Sequence, residues 1–490
     1  MKCAEIAELK GKFEMRLLEG FFSEMKKKKY KNSGYSEGGA SAIKPSLKTW
    51  QPQHFSAKSD IEENIDVLRR RAHDLAINSA VGSAIIQTLT NGVLGRSLKV
   101  YPAPEIEDAE SWSRNVQLQF NKWAMSLDAD FSRRNNFYEL ARIAFQSYLI
   151  DGDCFCLFQR NLRSRGSTLS LQLLEAQRVS NPQSGGSYVS NVEMWQPGGR
   201  RIINGVEVDK FGRQIAIHVC NKIWNEPTTQ PELKWQRVKI FGENGTRNLL
   251  HICFDTRPEM YRGTPLLSPV IESLKQVARF TEATLSSAII KSFFSLFFIQ
   301  QQTSLDLNQI LPDEELDLRE YRLGSGTLSS LPRGVDVKSI ESGTVMQSFA
   351  DFTNFFIKKI TAAVGLPAEI VLKSFDSSYS ASRGALIQAE ETFKERRQAF
   401  ENDFLQPVYE MWLAEMIASG KIIAPGFFED EFKRYCYSHA EWRREVVPAL
   451  DPNKDANAAA KRIEAGISTR EIEAVKIGND WAAIKNEVIN

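Results

Sequence analysis

Tyr261-Arg262-Gly263-Thr264-Pro265-Leu266-Leu267 is where the sequence changes texture. Before it, short apolar runs alternate with turn residues; after it, apolar positions recur every three or four residues over long stretches. Pro265 suits a helix start, where its missing N–H would have no partner anyway. Leu267, Ile271, Leu274, Val277, Leu285 and Ile289 then mark one face of a helix from Leu266 to about Lys291. Strands gathered before this point and helices after it predict an α+β fold.

Upstream, Ile61, Ile65, Leu68, Leu75, Val81, Ile85 and Leu89 keep a helical period from Asp60 to a stop at Asn91-Gly92. Strand-like runs follow at Ser97–Tyr101, Cys154–Gln159, Leu169–Leu173, Ile215–Val219 and Leu250–Phe254. Helical segments lie among them at 111–125 and 136–150, with turns at Asp151-Gly152 and Asn204-Gly205. Residues 1–60 differ from all this. Five lysines between Lys26 and Lys31 precede a Ser/Gly-rich stretch, a composition that predicts a disordered basic arm.

Downstream, a mixed segment at 293–345 holds turn chemistry at Gly324-Ser325-Gly326 and Pro332-Arg333-Gly334. Phe349, Phe352, Phe356 and Ile360 line a second helix that ends at Gly365, with Pro367 beyond. A third runs from Ser380 to Ser419, with Leu386, Phe393, Phe400, Phe404, Val408 and Trp412 on one stripe. Pro407 has no N–H for the carbonyl of Asp403, which predicts a kink. Near the C-terminus Asp451-Pro452 caps one helix, Gly466 closes it, and Ser468 with Glu471 has capping-box spacing for the next.

Length and charge bound the function. The 490 residues allow about three domains. A formal net charge of +1 excludes a generally basic nucleic-acid coat, so any DNA contact must come from local charge. Six scattered cysteines and no cleavable apolar leader point to a reducing cytosol. The most apolar stretch, Ala283–Ile299, is interrupted by Lys291 and serines; it reads as protein-buried rather than membrane-spanning.

Enzyme chemistry was sought in the motifs. No Gly-x4-Gly-Lys-Ser/Thr phosphate loop occurs. Gly34-Tyr35-Ser36-Glu37-Gly38 matches a nucleophile elbow in letters but lacks the strand and helix that an elbow needs. The pairs Cys154/Cys156, His218/Cys220 and His251/Cys253 are each one residue apart, so on strands each pair shares a face. They fit either core positions or, if brought together, the ligands of a zinc-dependent nucleic-acid-processing enzyme. Glu390/Glu391 and Asp313/Glu314/Glu315 read as solvated faces.

A chain of local motifs carries a resemblance. Asn78-Ser79-Ala80 through Gly92-Val93-Leu94-Gly95, then Leu149-Ile150-Asp151-Gly152-Asp153, follow one another in a familiar order. Next come Asn204-Gly205-Val206-Glu207-Val208-Asp209 with Phe211-Gly212-Arg213, and Tyr261-Arg262-Gly263. Gly365-Leu366-Pro367, Ser378-Tyr379-Ser380-Ala381-Ser382-Arg383 and Gly466-Ile467-Ser468-Thr469-Arg470 complete the series. Together they resemble the lambda-like family of tailed-bacteriophage portal proteins over about residues 60–481. Asp153 stands where the family usually has Glu, and Gln214 where it has Pro.

The resemblance implies a portal fold: an α/β wing at 61–263, a first stem helix at 264–292 and a small mixed clip at 293–345. A second stem helix at 346–372, a tunnel loop with a long kinked helix at 373–419 and a helical crown at 420–490 follow. It implies a structural, non-enzymatic subunit of a ring, typically dodecameric, with no cofactor and no metal. The ring sits in the virion at one capsid vertex, after assembly in the host cytoplasm. It conducts double-stranded DNA in packaging and ejection. Its implied partners are the major capsid protein, the terminase large subunit and a head–tail adaptor protein, and no membrane. A conduit must hold DNA without gripping it, which suits sparse basic residues. Lys358, Lys359, Lys373 and Arg383 are the channel candidates, and Phe293, Phe294, Phe297 and Phe298 the oligomer-interface candidates.

Overall fold

A computed structural model describes residues 45–50, 52–95, 98–106, 109–162, 164, 166–182, 193–223, 233–292, 296–300, 335–339, 345–375, 378–444, 451–477 and 481. The chain divides into Met1–Ser56 and Ala57–Asn490. The first unit contributes one described helical turn, Pro45–Lys48, and the lysine run lies outside the described residues.

The second unit begins with a π turn at Lys58–Glu62, then α1 (Ile65–Asn78) and α2 (Ala80–Leu94). The sequence predicts one helix here. Ser79 divides it: its backbone is extended, and its side chain accepts from the Gly82 N–H to cap α2. The stop is Gly95 at φ 66°, not Gly92, which lies inside α2 with the Phe393 ring against it. Strand β1 (Leu98–Pro102), α3 (Ala109–Ala124) and α4 (Phe137–Asp151) follow. Asn136 and Glu139 form a full capping box on α4, and Gly152 ends it at φ 88°.

Next come β2 (Asp153–Arg160), β3 (Leu169–Leu174), β4 (Glu193–Gln196), β5 (Arg200–Ile203), β6 (Val206–Val208), β7 (Gln214–Cys220), β8 (Trp235–Lys239) and β9 (Leu249–Cys253). Among the described residues they form an antiparallel sheet ordered β3-β2-β9 and another ordered β4-β5-β6-β7-β8. The three-stranded sheet is a middle layer. Phe155, Leu174 and Leu249 face the larger sheet, in a core shared with Ile203, Val206, Val208 and Ile217. Cys154, Cys156, Leu250 and Ile252 face the helices. Burial on both faces is why β2 reads as a continuous apolar run rather than an alternating one.

A 3-10 turn at Ser268–Val270 leads into α5 (Ile271–Ser292), so the helix starts four residues later than its apolar pattern predicts. Strands β10 (Leu296–Gln300) and β11 (Val335–Ser339) pair antiparallel, and α6 (Val345–Ala363) returns along α5. Phe280 packs on Phe352 and Phe349 at ring distances of 4.2 and 5.6 Å. The expectation that Ala283–Ile299 is protein-buried fails within the chain for its helical part: Leu285 is 61% and Ile289 49% exposed. No helix among the described residues is long and apolar enough to cross a membrane.

A short helix, α7 (Ala368–Leu372), precedes α8 (Tyr379–Phe400). A π turn at Glu401–Leu405 separates α8 from α9 (Gln406–Ala418). The interruption expected from Pro407 is thus a local widening of the helix just before the proline. Helix α10 (Glu431–Ser438) and β12 (Ala440–Arg444) follow, and β12 pairs antiparallel with β1. The purely helical end expected from 420 therefore contains a strand. Trp442 on it joins the central aromatic cluster of Phe120, Trp123, Phe137, Phe404, Tyr409 and Trp412. Helices α11 (Pro452–Glu464) and α12 (Arg470–Lys476) close the described chain. Asp451 caps α11 as predicted. Thr469 rather than Ser468 caps α12, because the Ser468 hydroxyl donates to Glu473 at 2.6 Å.

Candidate functional site

The Arg262-Gly263 junction lies at the centre of a buried ionic network. Arg262 is 1% exposed, yet every N–H of its guanidinium has a partner. Nε and Nη2 donate to Asp153 at 2.6 and 3.3 Å. Nη1 donates to the carbonyls of Val179 and Asn204 at 2.8 and 2.5 Å, and Nη2 also to that of Ala176 at 2.7 Å. The cation lies 5.2 Å from the Phe155 ring centroid. Arg69, on α1, adds a second guanidinium to Asp153 at 2.7 Å and donates to the Asp151 carbonyl at 2.8 Å. Glu62 accepts from the Tyr261 and Arg262 backbone N–H groups, both at 3.0 Å, and from Asn204 Nδ2 at 2.7 Å.

Two arginines and two carboxylates thus balance in a space closed to water. Burial pushes Asp153 up, but the Arg262 and Arg69 guanidiniums overcome it and hold the carboxyl far below the usual carboxylate range. The backbone is equally committed. A Cβ on Gly263 would lie 1.9 Å from the Gly152 carbonyl oxygen, and one on Gly205 would lie 2.4 Å from the Ser180 nitrogen. Only glycine allows these approaches. The motifs at Asp151-Gly152-Asp153, Asn204-Gly205 and Arg262-Gly263, far apart in sequence, therefore meet at one point. Sequence reading found each and missed their convergence. The signal was there: a glycine beside a charged or amide residue, at the end of an apolar run, three times over.

The Cys/His pairs do not converge. Cys154 and Cys156 face the helices, while His251 stacks on Phe155 on the opposite face of the same sheet, 4.4 Å between ring centroids. His218 and Cys220 belong to the other sheet, where His218 Nε2 meets Glu207 at 3.1 Å. Burial pushes the Cys154 and Cys156 thiols up, which opposes the thiolate that a metal needs. These are core positions.

The channel candidates are all surface cations. Lys358 and Lys359 are exposed on α6, and Lys359 Nζ lies 5.9 Å from the Phe356 ring centroid. Lys373 ends α7 in left-handed geometry at φ 55°. Arg383 is not in a loop, as the sequence suggests, but in the second turn of α8, bonded to Asp455 at 3.3 Å. The four residues are not brought into one cluster. Of the interface candidates, Phe297 and Phe298 lie on β10, opposite Lys338 and Val337, while Phe293 and Phe294 lie outside the described residues. Apolar surface is nonetheless present beside them: Phe352 and Phe355 on α6 are 38% and 64% exposed, with Leu285 and Ile289 on α5.

A sequence profile described as phage portal protein, lambda family, matches residues 44–397, well over half of the chain and spanning this whole network. The chain belongs to the lambda family of phage portal proteins. Its relatives in that family are distant. Portal protein B of Escherichia phage lambda is 22% identical over 487 residues, covering 92% of this chain and 88% of that protein. The portal protein of Escherichia phage N15 is 21% identical over 483 residues, with the same coverage. A probable portal protein of Halomonas phage phiHAP-1 is 24% identical over 431 residues, covering 85% and 78%. Among solved structures, a chain of the native gene transfer agent virion aligns at a TM-score of 0.47 and 13% identity. That alignment covers 88% of this chain and 94% of that one. The Asp153–Arg262 junction thus lies inside the part of the chain that defines a portal-family protein.

Proposed function

We propose that the chain is a structural portal subunit. It assembles as a ring of about twelve copies at one capsid vertex and conducts double-stranded DNA without catalysing a reaction. The single observation that carries this reading is the family match across residues 44–397. The α5–α6 helical pair supports it, because its exposed apolar positions suit burial between copies while Lys358 and Lys359 stay solvated. In this reading residues 61–263 are the wing, α5 and α6 the stem, 293–345 the clip, 373–419 the tunnel-bordering segment and 420–490 the crown. The clip meets the terminase large subunit and a head–tail adaptor protein, and the wing meets the major capsid protein. The subunit is a virion component, assembled in the host cytoplasm.

Negative-stain electron microscopy of the purified chain tests the proposal. Rings with one dominant rotational symmetry and a central opening are expected. A population of monomers at every concentration would overturn it. The channel assignment has its own test. Replacing Lys373 and Arg383 together with glutamate should impair DNA packaging or retention while rings still form. Normal packaging by that double variant would move both residues off the channel.

A further inference from the structure

A cavity of about 250 Å³ opens beside the π turn between α8 and α9. Its walls include Glu401, Gln406, Glu410, Tyr435, His439 and Trp442, and no lysine or arginine. Glu410 receives one hydrogen bond, from Gln406 Nε2 at 3.0 Å. Among the described residues no side chain hydrogen-bonds or ion-pairs with Glu401, and Arg397 reaches it only through space. A half-buried carboxylate left so is costly unless a cation or a proton joins it. Trp442 is an independent sign of a missing polar occupant: it is 7% exposed, and its Nε1 meets no acceptor.

We infer that this cavity binds an organic cation, an ammonium or guanidinium group held by Glu401 and Glu410 against the Tyr435 and Trp442 rings. Carboxylates supply charge-assisted acceptors and aromatic faces attract the same charge, so both kinds of wall select one ligand class. The carboxylates also repel phosphates, which excludes nucleotides. The volume lies below the roughly 300–1,000 Å³ of drug-sized sites, which fits a polyamine end or one basic side chain. Those are two sources of one chemistry: a free polyamine, or a lysine or arginine of a second copy.

The test uses the full chain, titrated by calorimetry with spermidine and with arginine amide. Saturable binding of one cation per chain is expected. Glu401→Gln and Glu410→Gln should each weaken it about tenfold, the scale of one charge-assisted contact. Glu391→Gln, on the exposed face of α8, should leave it unchanged. Melting temperatures no lower than wild type show that the variants fold. Binding that is unaccompanied by any change in assembly identifies a free polyamine. If instead free cations fail to bind but both variants reduce assembly in sedimentation velocity, and excess arginine amide does the same, the second copy is the source. Equal binding by wild type and both variants overturns the inference, as does the absence of any effect on binding and assembly.

Discussion

Asp153 shows what one residue can decide. It touches two arginines, one histidine and one backbone N–H, and none of these groups can turn to water instead. Asp153→Asn keeps the shape but leaves two buried guanidiniums against Glu62 alone. The expected loss is about 3–5 kcal/mol, a large part of a typical domain's stability, read by denaturant unfolding. A change under about 1 kcal/mol would show that water reaches the network. Arg262→Lys should be nearly as damaging, because an ammonium cannot replace five donors in one plane. Arg383 shows the opposite situation. Its partner Asp455 is as exposed as it is, so the pair adds little to stability. Arg383→Ala should move the melting temperature by no more than a degree or two.

At the scale of elements, the π turn has a pH signature. Burial pushes Glu401 up to about 7, with Glu441 adding to the shift and Arg397 opposing it. Burial likewise pushes Asp403 up to about 6, helped by Asp255. Both folded values exceed the ordinary carboxylate range, so the folded state binds more protons than the unfolded one. Stability is therefore greatest below about pH 4 to 4.5 on this account and is lost as pH rises towards 7. Glu401→Gln should melt above wild type at pH 8, and the gap should close by pH 5. An equal gain at both would mean that packing, not charge, is responsible. The β10–β11 pair carries a second expectation. Phe297→Asp should lower ring yield in microscopy while helix content by circular dichroism stays near wild type. An unchanged ring population would assign Phe297 to contacts within one chain.

At the scale of the whole molecule, both buried cores lie after Ser56. Deleting residues 1–55 should leave a folded protein with the parent's melting temperature, and trypsin should cut the intact chain first near Lys26–Lys31. Resistance of that run to trypsin would show a docked arm. The sequence by itself determined the α+β class, the strands β1, β2, β3, β7 and β9, and the turn from sheets to long helices at Gly263. Those signals are local: apolar period, caps and glycine turns act over a few residues. The sequence also carried the family, through motifs kept in order. It did not show that Ser79 divides a helix, because an extended serine and a helical one have the same neighbours in sequence. Nor did it show β12, whose Glu441, Arg443 and Arg444 hide a strand that only pairing with β1 stabilises. Only the tertiary structure decided that Arg69, Asp153 and Arg262 neutralise one another. Their attraction depends on distance through space, and a linear sequence records separation along the chain alone.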